Sequence, residues 1–140
     1  MTLFDTNILV YAHDISENEK RNKGLHLMES VFAGEREGIV TNQILAELFH
    51  VLTGSMKKSI DVKKAQEIVN AIISSDSWKK INYSHKTVKR AVNYVEEFNL
   101  HFWDALISAT MIENNIFTIY TENEKDFKKI PGIKVINPFS

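Results

Sequence analysis

The stretch Leu3-Phe4-Asp5-Thr6-Asn7-Ile8-Leu9-Val10 is an apolar, β-favouring run that one acid and one amide interrupt. Such a run predicts a buried central strand, from Leu3 to Tyr11, that ends at a polar loop. An unpaired carboxylate is costly to bury, so Asp5 requires a cation, a proton or an Arg partner. No Lys or Arg lies within the run. The group that neutralises the Asp5 charge must therefore come from outside this run.

Two other carboxylates interrupt apolar runs in the same way. They are Glu47, in Ile44-Leu45-Ala46-Glu47-Leu48-Phe49, and Asp104, in Phe102-Trp103-Asp104-Ala105-Leu106-Ile107. If the fold brings these two together with Asp5, their repulsion makes a divalent cation the simplest compensation, and ligation by oxygen alone points to Mg²⁺ or Mn²⁺. Each acid also has a structural alternative: Asp5 could cap a helix, Glu47 could pair with a buried Lys, and Asp104 could favour a helix N-terminus.

Strand-like and helix-like segments alternate along the chain. The predicted strands cover residues 3–11, 37–41, 78–83, 116–121 and 134–136, and the predicted helices cover 17–34, 43–53, 61–74, 84–98 and 102–114. The helix at 102–114 is apolar on nearly all sides and should be buried. The alternation predicts an α/β fold with three layers, α/β/α, and a mainly parallel central sheet. Ligands bind at the carboxyl ends of strands in such sheets, where Asp5 and the polar segment 122–126 belong.

Composition restricts the classes of function. The chain has 140 residues, is 44% hydrophobic and 25% charged, and contains no cysteine, which predicts a single domain over residues 1–140 and excludes thiolate metal sites and thiol catalysis. Without a signal-peptide pattern or a membrane-length apolar run, we expect a cytoplasmic protein that does not engage a membrane. Phosphate-binding, nucleophile-elbow and dinucleotide-binding glycine motifs are also missing.

Charge is distributed unevenly. The net charge is −1, yet residues 54–92 carry nine Lys or Arg residues against three acids. These cations could simply cover solvated helix faces, or they could form a positive rim that holds a polyanion beside the acidic site.

Four segments follow one another along the chain: Asp5-Thr6-Asn7, Gln43-Ile44-Leu45-Ala46-Glu47, Trp103-Asp104-Ala105-Leu106-Ile107 and Tyr120-Thr121-Glu122-Asn123-Glu124-Lys125-Asp126-Phe127. Together they form a pattern that resembles the PIN-domain nucleases. The resemblance is to the small ribonuclease toxins of the VapC type and covers the whole chain. It implies a metal-dependent hydrolase of RNA phosphodiester bonds in which Asp5, Glu47 and Asp104 match the acidic triad. A fourth acid is usual in the family; Asp126 is the preferred match, with Asn123 as a neutral neighbour, although many relatives carry an acid at the position of Asn123.

The resemblance also suggests roles. Asp5 and Asp104 are expected to be metal ligands, Glu47 to be a ligand or to orient the attacking water, and Asp126 to hold a second ion. Asn7 and Thr121 are expected to hydrogen-bond the carboxylates or water, with a local turn as the alternative.

The partners follow from the same resemblance. They are an RNA substrate, a small antitoxin, and a second copy of the chain docked through the apolar faces of residues 61–74 and 85–98. Operator DNA is expected only through the complex with the antitoxin.

Two other functions remain open at this point. One is a receiver-like Mg²⁺-binding signalling module, and the other is a catalytically silent binding protein whose partner fills the acidic pocket. Phe102 and Trp103 could stack a base near Asp104, but the apolar surroundings favour buried packing for both rings.

Overall fold

The computed structural model describes residues 1–140 and contains five short strands joined by helices. The strands are β1 (Thr2–Phe4), β2 (Gly38–Thr41), β3 (Trp78–Ile81), β4 (Thr118–Tyr120) and β5 (Lys134–Ile136). They form one sheet in the order β3-β2-β1-β4-β5, and every pairing is parallel. Helices cover both faces, so the predicted three-layer α/β/α architecture is confirmed.

Seven α-helices connect these strands: α1 (Thr6–Tyr11), α2 (Asn18–Phe32), α3 (Asn42–His50), α4 (Val62–Ser74), α5 (His85–Phe98), α6 (Phe102–Glu113) and α7 (Glu124–Phe127). Two of the long helices, α4 and α5, begin with a side-chain cap at residues 61 and 84, where the predicted helices begin. Asp61 accepts a hydrogen bond from the Lys64 amide at 2.8 Å, and Ser84 forms a capping box with Thr87. Such caps satisfy amide groups that have no partner within the helix.

Three predicted segments differ from the structure. The strand predicted for Leu3 to Tyr11 ends at Phe4, and Thr6 to Tyr11 is helical because the Asp5 carboxylate caps the new helix at the Thr6 amide, 2.8 Å away. The helix predicted for residues 43–53 is α-helical only to His50 and continues beyond its predicted end through a π-helical turn, Val51–Ser55. The segment 122–126 is not entirely a loop, since α7 begins at Glu124.

The core lies on the sheet and beneath the helices. Twenty-three buried residues form its main cluster, in which the Phe4 ring makes edge contacts with Trp78 and Tyr120 at centroid distances of 5.0 and 5.1 Å. A second cluster of six residues joins α5 to α6. Every residue of α6 from Ala105 to Met111 is buried, as its apolar sequence predicted. No helix has the length and apolar character needed to cross a membrane.

The strand order places a crevice next to β1. The chain builds β1, β2 and β3 towards one edge of the sheet and then places β4 on the other side of β1. The connections that leave the carboxyl ends of β1 and β4 therefore diverge, and this opening is where α/β sheets bind ligands. Asp5 directly follows β1 and Thr121 directly follows β4.

Candidate active site

Asp5 lies at the bottom of the crevice and is 7% exposed. Its Oδ1 accepts a hydrogen bond from the Thr6 amide, and its Oδ2 accepts one from the Thr121 hydroxyl at 2.7 Å. Burial raises the pKa of the Asp5 carboxyl above its ordinary value, and the nearby Glu47 charge adds to the increase, although the bonds from Thr121 and Thr6 oppose it. Asp5 therefore both caps α1, as its structural alternative proposed, and presents a buried carboxylate.

Glu47 projects from the middle of α3 towards Asp5. Thr41 at the end of β2 caps this helix by accepting a hydrogen bond from the Ile44 amide at 3.0 Å. The Glu47 carboxylate accepts hydrogen bonds from the Thr6 hydroxyl at 3.0 Å and from the Gln43 amide at 2.6 Å. The first of these bonds links the α3 carboxylate to the residue next to Asp5, across 41 positions of sequence.

Asp104 enters the site from the first turn of α6. Its Oδ2 accepts a hydrogen bond from the Asn123 side-chain amide at 2.8 Å. Burial, the charge of Asp5, a hydrogen bond with Asp126, and the charges of Asp126 and Glu47 together raise the pKa of Asp104 to about 7, with burial the largest cause. Asp104 thus lies among carboxylates that penalise its charged form. Asp126 also lies 3.5 Å from the ammonium group of Lys129.

The three polar residues expected beside the acids all lie there. Asn7 is 3.4 Å from both Asp5 Oδ2 and the Thr121 hydroxyl, and its own side-chain oxygen accepts a hydrogen bond from the Glu122 amide. The Thr121 hydroxyl accepts a bond from the Asn123 amide at 3.0 Å while it donates to Asp5. One chain of hydrogen bonds therefore runs from Asp5 through Thr121 and Asn123 to Asp104.

The donor set agrees with a hard divalent cation in chemistry but is not closed around one. No three Asp, Glu, His or Cys side chains stand in an arrangement that could hold a metal ion, and Asp5, Glu47 and Asp104 each accept a hydrogen bond from a protein donor. None of the five ion pairs, however, involves Asp5, Glu47 or Asp104. Two raised carboxyl pKa values without a cationic partner are what an acidic metal site shows before binding.

Two depressions flank the carboxylates. The larger has a volume of about 1120 Å³ and the smaller about 440 Å³, and both are lined in part by Glu47, Asp104 and Asn123. Together they form an open groove that passes over the acids. A long, flexible substrate can lie in such a groove with its reactive bond above the carboxylates.

Several residues of the site were not identified from the sequence. Thr6 and Gln43 both hydrogen-bond Glu47, and Gln43 could have been found because residues four apart share one face of a helix. Lys20 and Tyr11 both bond to Glu122, at 2.6 and 2.9 Å, and so fix the loop after β4. These pairs are about 100 positions apart in sequence, and no local pattern indicates them.

The prediction that the Trp103 ring is buried is wrong. Its ring is 52% exposed and lines the larger depression, whereas Phe102 packs beside the second core cluster. Trp103 lies in the first turn of α6, before the fully buried part of that helix.

Comparisons with solved structures show the same architecture. A chain of a toxin–antitoxin complex from Klebsiella pneumoniae is 25% identical, with a TM-score of 0.67 over 99% of this chain and 98% of that one. VapC20 from Mycobacterium tuberculosis, a sarcin–ricin loop cleaving toxin, is 15% identical, with a TM-score of 0.69 over 89% of this chain and 91% of that one. A chain of FitAB bound to a DNA fragment is 16% identical, with a TM-score of 0.66 over 100% of this chain and 96% of that one.

No curated protein matches the sequence. The family model of the PIN domain, however, matches residues 2–133, which include Asp5, Glu47, Asp104 and Asp126. This match and the parallel sheet in the order β3-β2-β1-β4-β5 agree with the resemblance seen in the four sequence motifs. The chain therefore belongs to the PIN-domain family.

Proposed function

We propose that the protein is a Mg²⁺- or Mn²⁺-dependent endoribonuclease and the toxin of a type II toxin–antitoxin pair. The observation that carries this proposal is the set of carboxyls at the switch point of the sheet. Asp5 and Asp104 have raised pKa values, and neither they nor Glu47 has a cationic partner. A nuclease that handles a polyanion needs positive charge at such a place, and divalent ions supply it.

Each side chain has a task in this proposal. Asp5 and Asp104 hold the cation, Glu47 holds it or orients the attacking water, and Asp126 holds a second ion. When bound, the metal supplies an activated water and neutralises charge on the phosphoryl and leaving oxygens. Thr121 and Asn7 orient the Asp5 carboxylate, and Asn123 orients Asp104. At neutral pH Asp104 is available as a ligand only after it releases its proton, so ion binding and deprotonation are coupled.

The proposed substrate is single-stranded or looped RNA, and the proposed partners include a small antitoxin. An acidic groove that is open to solvent suits an exposed backbone, and sequence-specific recognition of RNA usually requires unstacked bases. The toxin–antitoxin complex and the DNA-bound FitAB among the similar structures support an antitoxin partner and contact with operator DNA through the joint complex. Exposed Val62, Ile73 and Val92 on α4 and α5 suit a homodimer interface. We place this single-domain protein in the cytoplasm, where RNA is available.

The test is cleavage of a mixed pool of transfer and ribosomal RNA by the purified protein with Mg²⁺, Mn²⁺ or EDTA. Asp104→Asn keeps the size of the side chain and removes a proposed ligand, so we expect metal-dependent cleavage by the unmodified protein and none by this variant. Asp76→Asn is the matched control, since Asp76 is exposed and precedes β3 at the opposite edge of the sheet. Full activity of a folded Asp104→Asn protein would contradict the assignment. No cleavage with any metal would favour the silent binding protein.

A further inference from the structure

The larger depression beside the carboxylates contains aromatic and amide side chains that the proposed chemistry does not use. Its volume is about 1120 Å³, slightly above the range of typical small-molecule sites. Trp103 and Tyr83 line it and are 52% and 38% exposed. Asn82, Gln43 and His101 contribute polar groups to the same wall. We call this depression the Trp103 cleft.

We propose that the Trp103 cleft binds a nucleobase of single-stranded RNA next to the bond that is cut, with the base stacked on Trp103 or Tyr83. The inference rests on the proposed nuclease function and extends it, because it assigns the residues that select or hold a base. Every base has a flat π-face, and aromatic side chains in nucleic-acid grooves bind it by stacking.

Packing does not explain the exposure of Trp103. The next residues of α6 that face the core, from Ala105 onward, are all buried, and Phe102 makes an edge contact with the Trp103 ring at a centroid distance of 5.1 Å. Phe102 thus fills the core side, while about half of the indole remains in solvent. An indole left in water forgoes the free energy of burial, about 25 cal/mol for each Å² of apolar surface. A ligand that covers the ring would recover it.

The position of the cleft points to a base adjacent to the reacting phosphate. Trp103 immediately precedes Asp104, and the Gln43 amide nitrogen lies 3.5 Å from the Trp103 carbonyl oxygen and 2.6 Å from Glu47. Gln43 therefore connects the cleft wall to the proposed catalytic carboxylate Glu47, and Trp103 is joined directly to Asp104 along the chain. A phosphate above Asp104 would place its own base, or a neighbouring one, within reach of the indole.

The charge of the wall distinguishes a base from a phosphate. No Lys or Arg lines the Trp103 cleft, whereas Lys57 lines the smaller depression on the other side of Asp104 and Glu47. A phosphate needs a cationic partner. The Trp103 cleft offers none, whereas Lys57 stands beside the carboxylates of the smaller depression. Neutral amides such as Asn82 and Gln43 can instead donate to and accept from the edge of an unpaired base. The strand would accordingly cross the acids with a base in the Trp103 cleft and backbone towards Lys57.

Tryptophan fluorescence gives a test that does not depend on cleavage. The chain has two tryptophans, and Trp78 is only 1% exposed, so a ligand in the groove acts mainly on Trp103. The protein used is Asp5→Asn, which leaves the cleft wall intact. We expect a random-sequence single-stranded RNA oligonucleotide to quench its emission, and an oligonucleotide of abasic nucleotides to quench much less. Equal quenching by both, or quenching only by an oligo-arginine peptide, would overturn the base assignment.

Kinetics on the same RNA give the second test. Trp103→Ala should lower kcat/KM by about 10- to 100-fold, as expected for the loss of one base–aromatic stack, and Trp103→Phe should recover most of it. Phe117→Ala is the matched control, because Phe117 is a 45% exposed aromatic that precedes β4, away from the carboxyl ends of the strands. Unchanged kcat/KM in Trp103→Ala would overturn the proposal.

The two tests separate this inference from the proposed function. Base-dependent quenching in a protein that cuts no RNA would support the subsite and contradict the nuclease. Metal-dependent cleavage that is indifferent to Trp103→Ala would support the nuclease and contradict the subsite.

Discussion

Asp104 has an electrostatic environment that penalises its charge. Its pKa is raised from 3.8 to about 7 by burial, by the charge of Asp5 and by Asp126. The folded protein therefore keeps a proton on this carboxyl over a pH range in which the unfolded chain has released it. Between these two pKa values the folded state binds more protons, so the free energy of unfolding falls as pH rises.

This linkage predicts how Asp104→Asn changes stability when metal is removed with EDTA. The amide carries no charge, so the free energy of unfolding of the variant should equal that of the unmodified protein near pH 4. It should exceed that of the unmodified protein by an increasing amount up to pH 7 and above. The gain should be about 1 kcal/mol after allowance for solvent screening at a half-buried site, or about 2–4 °C in Tm. Thermal unfolding at a series of pH values measures it. A difference that is constant across the series would contradict the raised pKa.

Thr121 is the residue on which the Asp5 carboxylate depends most for hydrogen bonding. The Thr121 side chain is fully buried, and its hydroxyl donates to Asp5 at 2.7 Å. Thr121→Val keeps the shape but leaves a buried carboxylate with one donor fewer, so we expect a loss of about 1.5–3 kcal/mol in the free energy of unfolding. Urea denaturation measures it. Thr121→Ser retains the hydroxyl and should lose less; equal losses in the two variants would mean that the hydrogen bond contributes little.

At the scale of elements, β2 can lie close to its neighbours only because Gly38 has no side chain. A Cβ at this position would lie 2.8 Å from Trp78 Cζ3 and 2.8 Å from Val31 Cγ1. Gly38→Ala should therefore force these side chains apart and cost about 1–3 kcal/mol. Gly54→Ala is the control, because nothing lies within 4 Å of its Cβ position. Calorimetry that found the two variants equally stable would contradict this account of the packing.

The elements also show which structural features the sequence predicts and which it does not. Long segments with helical periodicity, such as α4 and α5, were predicted to within one or two residues because each buries an apolar stripe. The run Ile8-Leu9-Val10 was misassigned because a short apolar segment suits a buried strand and a buried helix equally well. The Asp5 cap at the Thr6 amide favours the helix. The four residues of α7 are too few to show a period.

The candidate site likewise has residues that the sequence predicts and contacts that it does not. Asp5, Glu47 and Asp104 stand out because carboxylates rarely interrupt apolar runs, and the fold brings them together with Asp126. Exposure of Trp103 depends on where α6 begins relative to the edge of the sheet, and the bonds of Lys20 and Tyr11 to Glu122 depend on tertiary contacts. Neither is encoded in local sequence.

At the scale of the whole molecule, the site joins distant parts of the chain. Asp5 follows β1, Glu47 lies on α3, Asp104 on α6 and Asp126 on α7, so the carboxyls come from both sides of the switch point. Their mutual repulsion opposes the folded state. A cation bound among them would reverse this effect, because it binds the folded chain and has no such site in the unfolded one.

Mn²⁺ should consequently raise the Tm of the protein. At 100 times its dissociation constant, the ion adds about 2.7 kcal/mol to the free energy of unfolding. Because the proton on Asp104 competes with the ion, the increase should be larger at pH 8 than at pH 5.5. Thermal unfolding with Mn²⁺ against EDTA at both pH values measures it. Asp5→Asn and Asp104→Asn should abolish most of the increase, whereas Asp76→Asn removes the same charge outside the site and should keep it. An increase of equal size in all three variants would mean that Mn²⁺ binds elsewhere on the surface, and the carboxyls would then need another source of positive charge.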